Sequence, residues 1–194
     1  MSNTTKYTGL LKQLLAIPSL SGEEQTRADY LEKWLRNEGF EPVRVENNLI
    51  VTHGSDPAKA SILLNSHIDT VPPGDGWETD PYLPSVSNGK ITGLGSNDAG
   101  ASVVSLIAAF TSLKNHPSAD TLVMVLSAEE ERSGENGLEL VINQLPALKF
   151  AIVGEPSQMQ PAVAERGLSV IDDLSTGKQG HAVPVTLSGL PGLA

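Results

Sequence analysis

The chain has 194 residues, 39% of them apolar and 19% charged, which suits one packed domain with part of a second and excludes wholesale disorder. A formal net charge of −10 lacks the footprint of a protein that binds nucleic acid or an anionic membrane surface. There is no cysteine, hence no disulfide and no thiolate zinc site, and any metal must be held by histidine and carboxylates.

The opening residues lack a basic stretch followed by a long apolar one, and 18 consecutive apolar residues occur nowhere, so a cytoplasmic location is expected. Tyr7, Leu10, Leu11, Leu14 and Leu15 fall at helical spacing, and Pro18 ends that helix. Ser21 and Glu24 read as a capping box opening a second helix, with Ala28, Leu31, Trp34 and Leu35 inward and Gly39 at its stop. Residues 42–52 read as a hairpin turning at Asn47-Asn48. Three short apolar runs follow, at 61–65 (SILLN), 121–127 (TLVMVLS) and 150–153 (FAIV), with helical stretches at 99–113 and 137–145 between them. This alternation predicts an α/β fold, a mostly parallel sheet with helices on both faces. A further strand is expected at about 168–174, before an uncharged tail rich in glycine and proline.

The chemistry gathers where the strands end. SILLN runs into Ser66-His67-Ile68-Asp69, TLVMVLS into Ala128-Glu129-Glu130-Glu131, and FAIV into Gly154-Glu155. Asp98 stands in a glycine-rich turn at the start of the longest apolar helix. Open parallel sheets bind ligands at the carboxyl ends of their strands. Alone, His67 reads equally as a core histidine, the three glutamates as a solvated helix start, and GLGSND as a plain turn. That turn is neither a Walker loop nor a dinucleotide fingerprint. Together they form a cluster of like charge that a cation would offset. Zn²⁺ suits such imidazole and carboxylate ligands, with Co²⁺ or Mn²⁺ as alternatives. His53 and His116 have no such surroundings and read as surface or packing residues.

Five segments in order, SHIDTVP (66–72), GLGSNDAGA (93–101), SAEEERSGENG (127–137), VGEPS (153–157) and GKQGHA (177–182), resemble the dinuclear zinc amidohydrolases and exopeptidases. That family includes acetylornithine deacetylase, succinyl-diaminopimelate desuccinylase, aminoacylases and glutamate carboxypeptidases. The resemblance implies two zinc ions, with His67, Asp98, Glu131 and Glu155 as metal ligands and Asp98 bridging. It implies Asp69 as the residue orienting His67, Glu130 as general base, and His181 as the oxyanion-stabilising group supplied across a homodimer. A one-residue shift in the acidic run would make the base and ligand Glu129 and Glu130 instead. The peptide after Asp98 is implied to be cis.

The expected division is a metal-dependent catalytic domain over 1–162, followed over 163–194 by the first strand of a largely missing lid and dimerisation domain. The family's second metal-binding histidine has no counterpart after His181, so at most one bound metal and little turnover are expected of these 194 residues alone. The leading expectation is metal-dependent hydrolysis of a small N-acyl amino acid, as in acetylornithine deacetylases; succinyl-diaminopimelate or dipeptides are alternative substrates. The competing readings are a non-catalytic α/β binding module or inactive fragment of the same fold, and a nucleotide-binding domain, which the lack of a phosphate loop disfavours.

Overall fold

A computed structural model describes residues 3–54, 61–114 and 121–164. The order is α1 (Asn3–Leu15), α2 (Gln25–Asn37), β1 (Val43–Val45), β2 (Asn48–His53), β3 (Ser61–His67), β4 (Ser85–Ser87), β5 (Lys90–Thr92), α3 (Ala101–Ser112), β6 (Thr121–Ser127), α4 (Leu138–Ile142) and β7 (Leu148–Val153). A π-turn over Ser96–Gly100 precedes α3.

Five strands form one sheet in the order β1-β2-β6-β3-β7. β6, β3 and β7 run parallel, and the β1–β2 hairpin joins antiparallel beside β6. From β3 the chain crosses to β6 on one side, then passes back over β3 to β7 on the other. Crossovers between parallel strands keep one hand, so this reversal sends successive helices to opposite faces. α3 accordingly joins α1 and α2 on one face, where Leu14, Leu31, Ile107 and Phe110 share a core with Leu64, Met124 and Leu126. On the other face Val141 of α4 packs with Leu63, Val123 and Val125. The predicted mixed α/β fold with helices on both faces is the one found. Among the described residues no helix is long and apolar enough to cross a membrane.

Four expectations need correction. The helix read from Ala99 begins at Ala101, because Asp98 and Ala99 adopt non-helical angles inside the π-turn. The stretch 137–145 forms only the five-residue α4. Among the described residues β7 is the edge strand of the sheet and is exposed throughout, rather than covered. Ser21 and Glu24 make no capping box: Glu24 stands at the helix start without capping it, and both side chains reach elsewhere. A small hairpin, β4 with β5, was not anticipated, although Asn88-Gly89 between them, both with positive φ, is a favoured two-residue turn.

Candidate metal centre

β3 and β6 end side by side, His67 opposite Ser127, and Gly154 beyond β7 donates its amide to the carbonyl of Asn65 at 2.8 Å. Three carboxyl ends therefore lie together where the crossovers reverse, the crevice in which α/β sheets bind ligands. Asp98 reaches this rim from the π-turn. Gly95 makes the approach: its φ is +74°, and a Cβ there would lie 2.6 Å from Thr70 Cγ2. The Asp98–Ala99 peptide is cis.

His67 is the centre of the cluster and is 1% exposed. Its Nδ1 lies 3.2 Å from the carbonyl oxygen and 3.3 Å from the carboxylate of Asp69, and its Nε2 lies 3.0 Å from Asp98 Oδ1. Glu155 Oε2 is 3.7 Å and Glu130 Oε2 3.8 Å from the same Nε2. One ligand atom each from His67, Asp98 and Glu131 fall within 4.8 Å of one another. The ring thus has one nitrogen turned to an orienting carboxylate and the other to a group of oxygens, the arrangement of a metal-binding imidazole.

Asp69 is fully buried and saturated with donors. The Ser21 hydroxyl and the Glu131 amide (3.0 Å) donate to Oδ2, and the Glu130 amide (3.1 Å) donates to Oδ1. Burial alone would raise its pKa, yet the bonds from His67, Ser21 and the Glu131 amide hold it below the usual carboxylate range.

The remaining groups show the excess of negative charge. Burial opposes the charged form of His67, but Asp69, Asp98 and Glu155 outweigh it and push the ring up to about 12. Burial, with the neighbouring charge of Asp98, raises Glu131 to about 7; burial, Glu155, Asp69 and Asp98 raise Glu130. Carboxylates whose pKa values are raised by crowding around one imidazole match a divalent cation, and imidazole plus carboxylate oxygens are donors that zinc, cobalt and manganese accept.

Glu129 does not join the group. Its carboxylate turns away to Arg132 at 2.8 Å and to the amide and side chain of Asn136 at 3.3 and 3.1 Å, and these partners hold its pKa down against burial. The geometry thus brings Glu130 and Glu131, not Glu129, to His67. His116 and His181 lie outside the described residues, while His53 packs edge-on against Phe110. Sequence reasoning missed the contribution of Ser21 and Glu24, whose signal was absorbed into a capping pattern.

A family model described as Peptidase family M20/M25/M40 matches residues 63–186. The chain is 32% identical over 185 residues to a succinyl-diaminopimelate desuccinylase of Wolinella succinogenes, covering 89% of this chain and 50% of that one. It is 31% identical over 191 residues to an acetylornithine deacetylase of Proteus mirabilis, covering 91% and 49%. The chain spans about half the length of these curated relatives. Among solved structures, an M20 family metallo-carboxypeptidase from Sulfolobus solfataricus shares the fold with a TM-score of 0.63 at 22% identity, over 76% of this chain and 37% of the other. A dinuclear metal-binding peptidase of the M20 family from Bacillus subtilis does so with a TM-score of 0.60 at 17% identity, over 78% and 42%.

Proposed function

The chain belongs to Peptidase family M20/M25/M40, and from that premise we propose that it carries out, or forms part of a protein that carries out, metal-dependent hydrolysis of the amide bond of a small N-acyl amino acid. The observation that supports this reading is the convergence of His67, Asp98 and Glu131 within 4.8 Å, with Glu130 and Glu155 beside the same imidazole nitrogen. In this reading His67, Asp98, Glu131 and Glu155 would hold the metal, and zinc is the proposed ion. Bound there, the metal would polarise the substrate carbonyl and acidify the attacking water.

The protein's own groups handle the proton. Glu130 accepts a proton from water as the water oxygen bonds to the carbonyl carbon. The C–N bond then breaks, and Glu130 passes that proton to the departing amine. The Glu130 side chain is 53% exposed, open to a substrate in a way that Glu129, at 6%, is not. Asp69 keeps His67 oriented throughout. His181 as an oxyanion donor presented across a homodimer, the lid assignment of residues 163–194, and a cytoplasmic location belong to the same proposal.

Metal content and turnover test it together. The purified chain, stripped with chelator and dialysed against Zn²⁺ or Co²⁺, is expected to retain metal; Glu131→Gln lowers that content and Glu130→Gln leaves it nearly unchanged. The hydrolysis of N-acetylornithine, N-succinyl-diaminopimelate and a dipeptide, expected to be slow for these 194 residues alone, is then compared, with the acetylated substrate expected to be fastest and Glu130→Gln to remove the activity. A chain that retains no metal, or a Glu130→Gln variant as active as the parent, overturns the reading.

A further inference from the structure

Four consecutive backbone amides after β6 are each held by a side-chain oxygen from a distant part of the chain. Ala128 donates to Asn48 Oδ1 at 3.0 Å, Glu129 to Glu24 Oε1 at 3.1 Å, and Glu130 and Glu131 to the two carboxylate oxygens of Asp69. A turn in which every amide is fixed from outside has little freedom to re-aim the side chains it carries. Three of these acceptors are explained by the site or by the β1–β2 turn. The fourth, Glu24, touches none of the clustered oxygens.

Glu24 is 0% exposed. A buried carboxylate is costly unless its oxygens are bonded, and here Oε1 also accepts the Gly22 amide at 2.6 Å while Oε2 accepts the Asn47 side-chain amide at 2.9 Å. The residue it grips, Glu129, has φ +54°, an unfavourable backbone for a side chain that is not glycine. Glu129 in turn pins the far end of the loop through Asn136 and Arg132. It also closes over Gly134, where a Cβ would lie 1.9 Å from Glu129 Oε2. The strained corner at Glu129 reverses the chain so that the next two amides meet Asp69.

We infer that Glu24 is a positioning residue for the site, acting through the Glu129 amide to hold the corner that aims Glu130 and Glu131 at His67. The inference rests on the proposed roles of Glu130 and Glu131. Asn47 makes the test specific. Glu24→Gln turns one carboxylate oxygen into a donor facing either the Asn47 amide or the two backbone amides, while Glu24→Gln with Asn47→Asp reverses the bond and restores an acceptor. The Asn47→Asp change also keeps an oxygen for Arg44, which donates to the Asn47 side-chain oxygen at 2.9 Å.

Two readouts are taken on the parent chain and both variants: Co²⁺ affinity with the visible absorption of the bound ion, and hydrogen exchange at the amides of residues 129–131 without metal. Glu24→Gln is expected to lose about 10- to 100-fold in Co²⁺ affinity, the range for groups that orient metal ligands, to alter the Co²⁺ spectrum and to speed exchange at these amides. The double variant is expected to recover all three. A Glu24→Gln protein that is less stable but keeps parental affinity, spectrum and exchange overturns the inference, as does a folded double variant that recovers none. If the parent itself binds no Co²⁺, the proposed function fails, and the exchange measurement still decides the role of Glu24: faster exchange restored by the swap supports it, and unchanged exchange overturns it.

Discussion

The two sides of the metal centre are built differently. On the β6 side, Asp69, Glu24, Glu129 and Asn48 are all buried and all bonded, and β6 is buried at every position. On the β7 side, Glu155 follows an edge strand exposed along its whole length, with Phe150 at 52% and Val153 at 55%. Both sides bring a carboxylate to the same nitrogen of His67. One does so from a frame fixed by many bonds; the other depends on a strand that, among the described residues, is paired along one edge only. The contrast separates residues that shape the site from residues that only contribute a charge to it.

The largest effect should come from the sheet itself. Leu126→Ala, at a position 0% exposed in β6, is expected to cost about 2–5 kcal/mol of unfolding free energy, the range for truncating a buried leucine. Ile152→Ala in β7, where 49% of the residue already meets water, is expected to cost under about 1 kcal/mol. Chemical denaturation of the two variants side by side measures this, and equal losses would break the comparison.

Asp69→Ala probes the bonded frame. It leaves the Ser21 hydroxyl and the amides of Glu130 and Glu131 without their acceptor and His67 with only a carbonyl on that side. The expected loss is about 1–3 kcal/mol of stability from the stranded, partly buried donors, together with about 10- to 100-fold in Co²⁺ affinity. Denaturation and calorimetric titration read the two separately. Unchanged affinity would mean that the carboxylate is not needed to orient His67.

Much of this was legible in the sequence because the local pattern and the tertiary environment agree. The helical spacing of Leu10, Leu11, Leu14 and Leu15 became the buried face of α1, and the runs at 61–65 and 121–127 became β3, which extends two residues further to His67, and β6. Positions 67, 131 and 155 converge because they follow neighbouring strand ends of a parallel sheet, which follows from topology, and Asp98 joins them from the π-turn before α3. The frame was not legible. Ser21 and Glu24 have the spacing of a capping box, and nothing local reveals that their oxygens go to a residue 48 positions away and an amide 105 positions away. The exposure of β7 was also hidden: an apolar run such as FAIV has the same composition whether one edge or both are paired, and only the strand order shows which.

The smallest effect on stability belongs to Glu155→Ala. Its side chain is 39% exposed, and its polar contact at the centre is with His67 at 3.7 Å. Loss of that attraction is offset in part by relief of the repulsion that Glu155 exerts on Glu130. The change in unfolding free energy is therefore expected within about 0.5 kcal/mol, as for substitutions outside a packed or bonded frame. If Glu155 is a metal ligand, Co²⁺ affinity should nevertheless fall, so that binding and stability part company at this position while they move together at Asp69. A Glu155→Ala chain that binds Co²⁺ like the parent would remove Glu155 from the ligand set. One that loses more than about 1 kcal/mol would instead place it in the frame and erase the difference between the two sides.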